Sequence, residues 1–412
     1  MAQKNIVLVG TLDTKGKEID YCSQIAQDMG FNTIVIDVGI LNDPFIKGDI
    51  TREAIAKLGG NELPDLIKKG DKNFAIETMA QGVKKAVSNL YSEGRLDGLI
   101  SLGGGQGTYL GTSAMQVLPL GIPKVMVSTL TSGDVHRFVG IKDIVMINPV
   151  TDILGINCIS GQILKNAVAA LAGMIEVAKP VKRSNKICVG LSMLGTTTKG
   201  AMQVVDCLEK SGLEIITFHA NGPGGDAMEE LVEQGFFDAM LEYSPHQITA
   251  GICHGIFASD SPRLMAAIQK NIPQLIVPGG LEKIIQGPYE EMPEDLQKRP
   301  HIIHNKNITL VRANKEEMIK VAELVASRLN QTQRPVKVVI PLKGFCAPNK
   351  VGGVFYNPEA DQGFIQKLEE STKENSNITI VKVDAHINDR EFALRVAEEF
   401  QDLLSKANIS II

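Results

Sequence analysis

The chain has 412 residues, 44% hydrophobic and 22% charged, with 42 Lys and Arg against 47 Asp and Glu and a formal net charge of −5. Its length predicts two or three globular domains, and an acidic balance without a long basic run excludes a broad nucleic-acid-binding face. Six scattered cysteines, none at Cys-x-x-Cys spacing, argue against a zinc cage and for reduced, buried thiols. No apolar run reaches the length of a membrane span and Met1–Asn5 leads straight into a strand, so the chain reads as cytoplasmic, with no membrane partner.

Apolar runs alternate with helical periodicity, the pattern of an α/β protein on mainly parallel sheets. Strands are predicted over Ile6–Val9, Thr33–Asp37, Gly98–Leu102, Lys124–Thr129 and Ile144–Ile147, and helices over Lys15–Met29, Phe74–Glu93, Gln106–Val117 and Gly155–Val177. The polar, proline-bearing stretch Ala178–Lys186 marks a boundary. Beyond it strands are predicted over Ile187–Leu191, Glu214–Phe218, Gln274–Val277, Ile308–Val311, Val336–Ile340 and Ile378–Val383. Helices fit Thr198–Lys210, Ser261–Lys270, Lys315–Leu329, Pro358–Glu370 and Asp389–Leu404. The restart reads as an internal repeat: Thr14-Lys15-Gly16 matches Thr198-Lys199-Gly200, Gly30 matches Gly212, and Asp37 falls opposite His219. The expected architecture is two tandem Rossmann-like, doubly wound domains, an N-terminal nucleotide-binding one over 1–180 and a C-terminal one over 185–412.

In open parallel sheets the ligand crevice lies beyond the carboxyl ends of the strands, which selects the loops to read. "GTLDTKG" (Gly10, Thr11, Asp13, Thr14, Lys15, Gly16) feeds a helix whose N-terminus favours an anion, with Lys15 adding charge. It lacks the glycine spacing and the closing Gly-Lys-Ser/Thr of a P-loop. Asp13 is read as a metal ligand or as a helix cap, and Thr14 as an alternative cap. "DVG" (Asp37 to Gly39) ends the second strand, where an acid often meets a ribose hydroxyl. "SLGGGQGT" is the most specific signal: Gly103, Gly104 and Gly105 strip the turn of side chains, and Gln106, Gly107 and Thr108 open the next helix. "STLTSGD" brings Thr129, Ser132, Gly133 and Asp134, the last a second candidate for Mg²⁺ beside Asp13. "NPVTDILGIN" supplies a further wall, with Thr151 and Asp152 capping the helix beyond it.

The second domain has its own polar rim. His219 at a strand end is a candidate acid or base, as are Glu282 in "VPGGLEK" and His386 in "VDAHINDREFA". His301 and His304 sit in a proline-flanked loop with Arg312 beyond it, and Cys346 follows a strand. Asn388 or Asp389 is an N-cap for the last helix.

On "GTLDTKGKE", "SLGGGQGT", "VTDILGIN", "FHANGPGGDAME", "HNKNITLVRA" and "HINDREFA", the chain resembles, over nearly its whole length, the ATP-binding family represented by the N-terminal region of the tomato mosaic virus resistance protein. The resemblance implies two Rossmann-like domains, an ATP site with Mg²⁺ on the loops of the first, and a homo-oligomer. The second domain departs from the family pattern at Asn221, at Gln247 and at Glu282, where Thr, Glu and Asp are usual. Three functions are therefore expected to compete. One is a nucleotide-binding protein. The second is an enzyme acting on a small sugar-acid-like or phosphorylated metabolite between the domains, with His219, Glu282 and His386 as acid–base groups. The third is an interaction protein with a regulatory nucleotide.

Overall fold

The computed structural model describes residues 3–133, 135–179, 181, 183–258 and 262–409. The chain divides into two compact α/β units, Met1–Lys182 and Arg183–Ile412.

The first unit is built on strands β1 (Asn5–Gly10), β2 (Asn32–Asp37), β3 (Gly98–Gly103), β4 (Lys124–Ser128) and β5 (Val145–Ile147), all parallel in the order β2-β1-β3-β4-β5. Its helices are α1 (Leu12–Asp28), α2 (Arg52–Leu58), α3 (Leu63–Lys69), α4 (Lys72–Ser92), α5 (Gly105–Gln116), α6 (His136–Val139) and α7 (Cys158–Val177). Period-two alternation divides β1 between two cores. Val7 and Val9 face α4 and α5, packing with Met79, Val83 and Leu110, while Ile6 and Leu8 face α1 and α7, packing with Ile19, Leu164 and Leu171. Burial on both faces explains why these strands read as continuous apolar runs.

The helix α7 corrects one expectation. It is long and apolar enough, by length and composition, to cross a membrane, because Ala, Gly, Ile and Leu carry most of its 20 residues. Here one stripe of it, Leu164, Val168, Leu171 and Ile175, is buried against the sheet. Its cap is also not the expected one: Asn157 accepts from Ile159 N (2.9 Å) and Ser160 N (2.9 Å), and Ser160 Oγ answers Asn157 N at 3.0 Å, a capping box. The helices α2, α3 and α6, absent from the sequence expectation, are four to seven residues long, too short to show a period.

The second unit carries β6 (Cys188–Met193), β7 (Glu214–His219), β8 (Ala239–Glu242), β9 (Gln274–Ile276), β10 (Lys283–Gln286), β11 (His301–Asn305), β12 (Ile308–Arg312), β13 (Val336–Pro341) and β14 (Ile378–Val383). Its helices are α8 (Thr198–Lys210), α9 (Pro223–Glu233), α10 (Gln247–Ile252), α11 (Met265–Gln269), α12 (Glu294–Gln297), α13 (Lys315–Leu329), α14 (Pro358–Thr372) and α15 (Arg390–Lys406). The main sheet is parallel, in the order β14-β13-β9-β8-β6-β7, so its first four strands repeat the winding of the first unit. A separate antiparallel sheet, β10-β12-β11, is inserted after β9. His301 and His304 lie on β11, in a strand and not in a loop. The helix expected over Ser261–Lys270 is shorter, because Leu264 takes a left-handed conformation (φ 72°) and α11 starts after it; Ser261 lies outside the described residues.

One buried ion cluster locks α9 to β8. Arg263 is 1% exposed; its Nη1 donates to Glu229 Oε1 and to the Gly225 carbonyl, both at 2.9 Å, and Nη2 donates to both Glu242 oxygens at 2.8 and 2.6 Å. Glu229 also accepts from Leu264 N (2.7 Å) and Ala266 N (2.9 Å). Burial pushes the Glu229 carboxyl up and Arg263 pulls it back. Removing the cation leaves two buried acids facing each other. Arg263→Met is therefore expected to destabilise the second unit by about 3–5 kcal/mol, measured as a lower urea midpoint for that unit's transition.

Candidate functional site

The strand order of the first unit reverses between β1 and β3, and in open α/β sheets such a switch point is where the crevice forms. A cleft of about 470 Å³ lies there. Thr11, Asp13, Thr14, Lys15 and the run Gly103 to Gly107 form its polar side, while Val38, Ile40, Leu41, Ile76, Met79 and Leu110 form an apolar side; Lys72 stands at its rim.

Two buried carboxylates build the wall. Asp37 pairs in register with Gly10, is 2% exposed, and accepts from Leu12 N (3.1 Å) and Gly39 N (2.9 Å). It thus satisfies the first orphan donor of α1, whose N-cap, Thr11, makes no side-chain cap. Burial raises the Asp37 carboxyl above its ordinary range, and the two N–H donors oppose the shift. The expected ribose contact does not match this geometry: Asp37 is committed to backbone and lines a separate recess with Phe45 and Arg52. Asp13, on the first turn of α1, is 4% exposed and accepts through Oδ2 from Leu41 N (2.8 Å) and Asn42 N (3.2 Å). Its Oδ1 has no partner among the described residues, yet Asp13 lines the cleft. Asp13 therefore clamps the loop after β2 and does not cap α1.

The glycines divide into two kinds. A Cβ on Gly10 would strike Ile19 at 2.7 Å, on Gly16 would strike Phe45 at 2.9 Å, on Gly39 would strike Asp13 at 2.6 Å, and on Gly103 would strike Gly107 Cα at 2.8 Å. Packing alone accounts for these. At Gly104 the nearest atom among the described residues would be Thr129 Oγ1 at 3.7 Å, and at Gly105 none of them lies within 4 Å. Neither has a positive φ. No contact among the described residues asks for glycine at these two positions, and both line the cleft.

The remaining first-unit candidates are spread. Lys15 lines the cleft while its Nζ donates to the Ile153 carbonyl. Thr11 and Thr14 share a hydrogen bond of 2.7 Å between their hydroxyls. Gln106 and Gly107 line the cleft at the start of α5. Thr108 does not reach it: the side chain is fully buried against Ser128 Oγ at 2.6 Å, and its N–H donates to Gly104 O at 2.8 Å. Thr129 is half-buried and donates its N–H to Gly103 O (3.3 Å), and Ser132 and Gly133 are exposed. Asp134 lies outside the described residues. Among the described residues no cluster of three or more His, Cys, Asp or Glu could hold a metal.

In the second unit the three acid–base candidates have different fates. His219 is exposed at the end of β7. His386 is engaged on both ring nitrogens: Nδ1 accepts from Asn388 N (3.2 Å), so Nε2–H donates to the Cys346 carbonyl (2.9 Å). Both ring nitrogens of this acid–base candidate are thus held by backbone, and the ring anchors the loop after β14 to that after β13. Glu282 is fully buried; neither carboxyl oxygen has a nitrogen or oxygen donor among the described residues, and the Cys346 thiol lies against it. Arg312 serves structure, donating to the carbonyls of Phe355 and Glu282 (both 2.9 Å) and to Asp361 Oδ1 (2.6 Å). Two residues escaped the sequence reading. His246 is fully buried with both ring nitrogens unpartnered; burial first, then Lys283 and His219, lower its pKa to about 3, so the ring is neutral. Lys283 is 1% exposed and donates to Thr196 Oγ1. Nothing in "SPHQ" or "LEKI" signals this, because only the fold brings His246 and Lys283 together beside Gly280.

The model of the uncharacterised protein family (UPF0261) N-terminal domain matches residues 4–180, and that of the UPF0261 C-terminal domain matches 186–404. A UPF0261 protein of Clostridium tetani is 40% identical over 403 residues, 98% of this chain and 100% of that protein. A UPF0261 protein of Rhizobium meliloti is 32% identical over 97% of this chain and 99% of its own length. The ToMV resistance protein Tm-1 of Solanum lycopersicum is 36% identical over 82% of this chain, which corresponds to 45% of the tomato protein. Among solved structures, MurG of Acinetobacter baumannii aligns over 97% of this chain and 99% of its own at 11% identity with a TM-score of 0.21, too loose a superposition to support any argument.

The clamp at Asp37 is directly testable. Asp37→Ala leaves the N–H groups of Leu12 and Gly39 buried without their acceptor and is expected to cost about 1–3 kcal/mol. Asp37→Asn keeps an Oδ1 acceptor and should recover most of that loss; equilibrium denaturation of the two variants makes the comparison.

Proposed function

This chain belongs to the UPF0261 family, and from that premise we propose that its first unit binds ATP in the cleft between β1 and β3. The single observation that carries this reading is the pair Gly104 and Gly105, glycines that line the cleft and that no protein contact explains. A turn without Cβ atoms at the start of α5 lets a phosphate approach the N–H groups of the helix's first turn, where the dipole favours negative charge.

The residues present fit the group. Lys15 and Lys72 supply positive charge, and the hydroxyls of Thr11 and Thr14 supply donors. The apolar wall of Val38, Ile40, Ile76, Met79 and Leu110 suits the flat face of a base. The unpartnered Asp13 Oδ1 would be the protein's ligand to a hydrated Mg²⁺, an ion that asks for few carboxylates. The bound Mg²⁺ would offset phosphate charge there. The adenine identity of the base rests on the family resemblance.

Isothermal titration with ATP and Mg²⁺ tests the reading. Wild-type protein is expected to bind. Gly105→Val places a side chain where the phosphate would rest and should weaken binding by about tenfold or more, a loss of about 1.4 kcal/mol. Its melting temperature should stay at or near the wild-type value, because the new side chain meets no protein atom at Cβ. Equal affinity in Gly105→Val, or no heat from the wild type at millimolar ATP, overturns the proposal.

A further inference from the structure

The strand tips of the second unit gather buried polar side chains. His246 follows β8, Glu282 and Lys283 follow β9, and Cys346 follows β13; all four are buried. Lys283 and His246 flank one glycine, and the Cys346 thiol lies against Glu282 and near Lys283. A Cβ on Gly280, which holds a φ of 72°, would lie 3.4 Å from the Leu194 side chain, 3.6 Å from Lys283 Cε and 3.7 Å from His246 Cβ. Lys283 Nζ donates to the hydroxyl of Thr196, just ahead of the 13-residue helix α8. Thr196 stands in the loop corresponding to Gly10–Gly16 of the first unit, at the matching switch point between β6 and β8. Its carbonyl accepts from Ala347 N and Asn388 Nδ2, both at 3.0 Å, so the loops after β13 and β14 close on the same place.

The antiparallel sheet covers this end. Ile285 of β10 and Leu310 of β12 form one apolar cluster with Leu194, Cys346 and Phe355. Under that cover both nitrogens of His246 lack a partner among the described residues, and the Glu282 carboxyl has no nitrogen or oxygen donor among them, only the Cys346 thiol lying against it. Native proteins rarely leave several such groups together without a functional reason.

We propose that this capped strand end is a second ligand site, for a small hydroxylated organic anion, and that the structure holds its cap closed. The ammonium of Lys283 beside the Thr196 hydroxyl, at the start of α8, suits an oxyanion. The imidazole of His246, one donor and one acceptor, and the carboxyl of Glu282 suit the hydroxyls of the same molecule. A carboxylate and a phosphate group offer the same oxyanion chemistry. The site lies within the second unit and is independent of nucleotide binding by the first.

The test uses the full chain with inorganic phosphate and gluconate as separate probes. Cys346, fully buried beneath the cap, reports its opening through N-ethylmaleimide labelling, read by peptide mass spectrometry, with melting temperature as a second readout. At least one probe should raise the melting temperature and slow Cys346 labelling by about tenfold when present at roughly nine times its dissociation constant. Protection by phosphate alone, by gluconate alone or by both identifies the oxyanion the site takes. Thr196→Val and Lys283→Met should each abolish the protection while leaving ATP affinity unchanged. Thr196 is partly exposed, so its variant decides the matter if Lys283→Met does not fold. No change in either readout with either probe, or protection that survives Thr196→Val, overturns the proposal.

Discussion

The carboxylate of Asp37 is the constraint on which the first unit's crevice depends. A buried acid needs donors, and Asp37 finds them in Leu12 N and Gly39 N, at the start of α1 and just beyond its own strand. The two ends that β1 and β2 present side by side are thereby joined. Asp13 repeats the device one turn further on, gathering Leu41 N and Asn42 N. Together the two acids hold Val38, Ile40 and Leu41 as one wall of the cleft, with the glycine turn after β3 among its other lining residues. The site is thus organised by acids that bind backbone, and the positions left free for a ligand are those without side chains.

The two units share a winding order and differ at their strand tips. In each, a Lys-Gly pair sits in the first turn of the helix after the first strand, and in each the glycine admits a crossing segment. Phe45 lies against Gly16 in the first unit, and the Ile387 carbonyl and Tyr243 hydroxyl lie against Gly200 in the second. The repeated motif therefore has a packing cause in both places. The surroundings of the two tips are opposite in kind. The tip of the first unit opens into a cleft, whereas at that of the second Ile285 and Leu310 of the inserted sheet pack on Leu194 and Cys346, and Glu282, His246 and Lys283 are buried.

Much of this was legible in the sequence, and the limits have physical reasons. Strands such as Ile6–Val9 and Leu99–Leu102 announce themselves because both faces are buried. The turn "SLGGGQGT" was legible because three glycines between a strand and a helix have few other uses. The division of those glycines was not: whether Gly103 or Gly105 serves packing depends on what stands opposite, and only the fold brings Gly107 Cα near one and leaves the other open. The role of Asp37 was misread for the same reason, since a strand-end acid looks alike whether it faces a ribose or a backbone amide. The short β8, β10 and β11 escaped because four- and five-residue strands carry little periodicity. His246 escaped because the neighbours at its side, Gly280 and Lys283, stand 34 and 37 residues further along the chain.

The central claim is that the Gly104–Gly105 turn receives an anion. A crystal structure of the chain grown with ATP and Mg²⁺ tests it most directly. The account predicts phosphate oxygens within hydrogen-bond distance of the backbone N–H groups at the start of α5, with the base against Val38, Ile76 and Met79. Nucleotide bound elsewhere, with this turn left bare or filled by a neighbouring side chain, would contradict it.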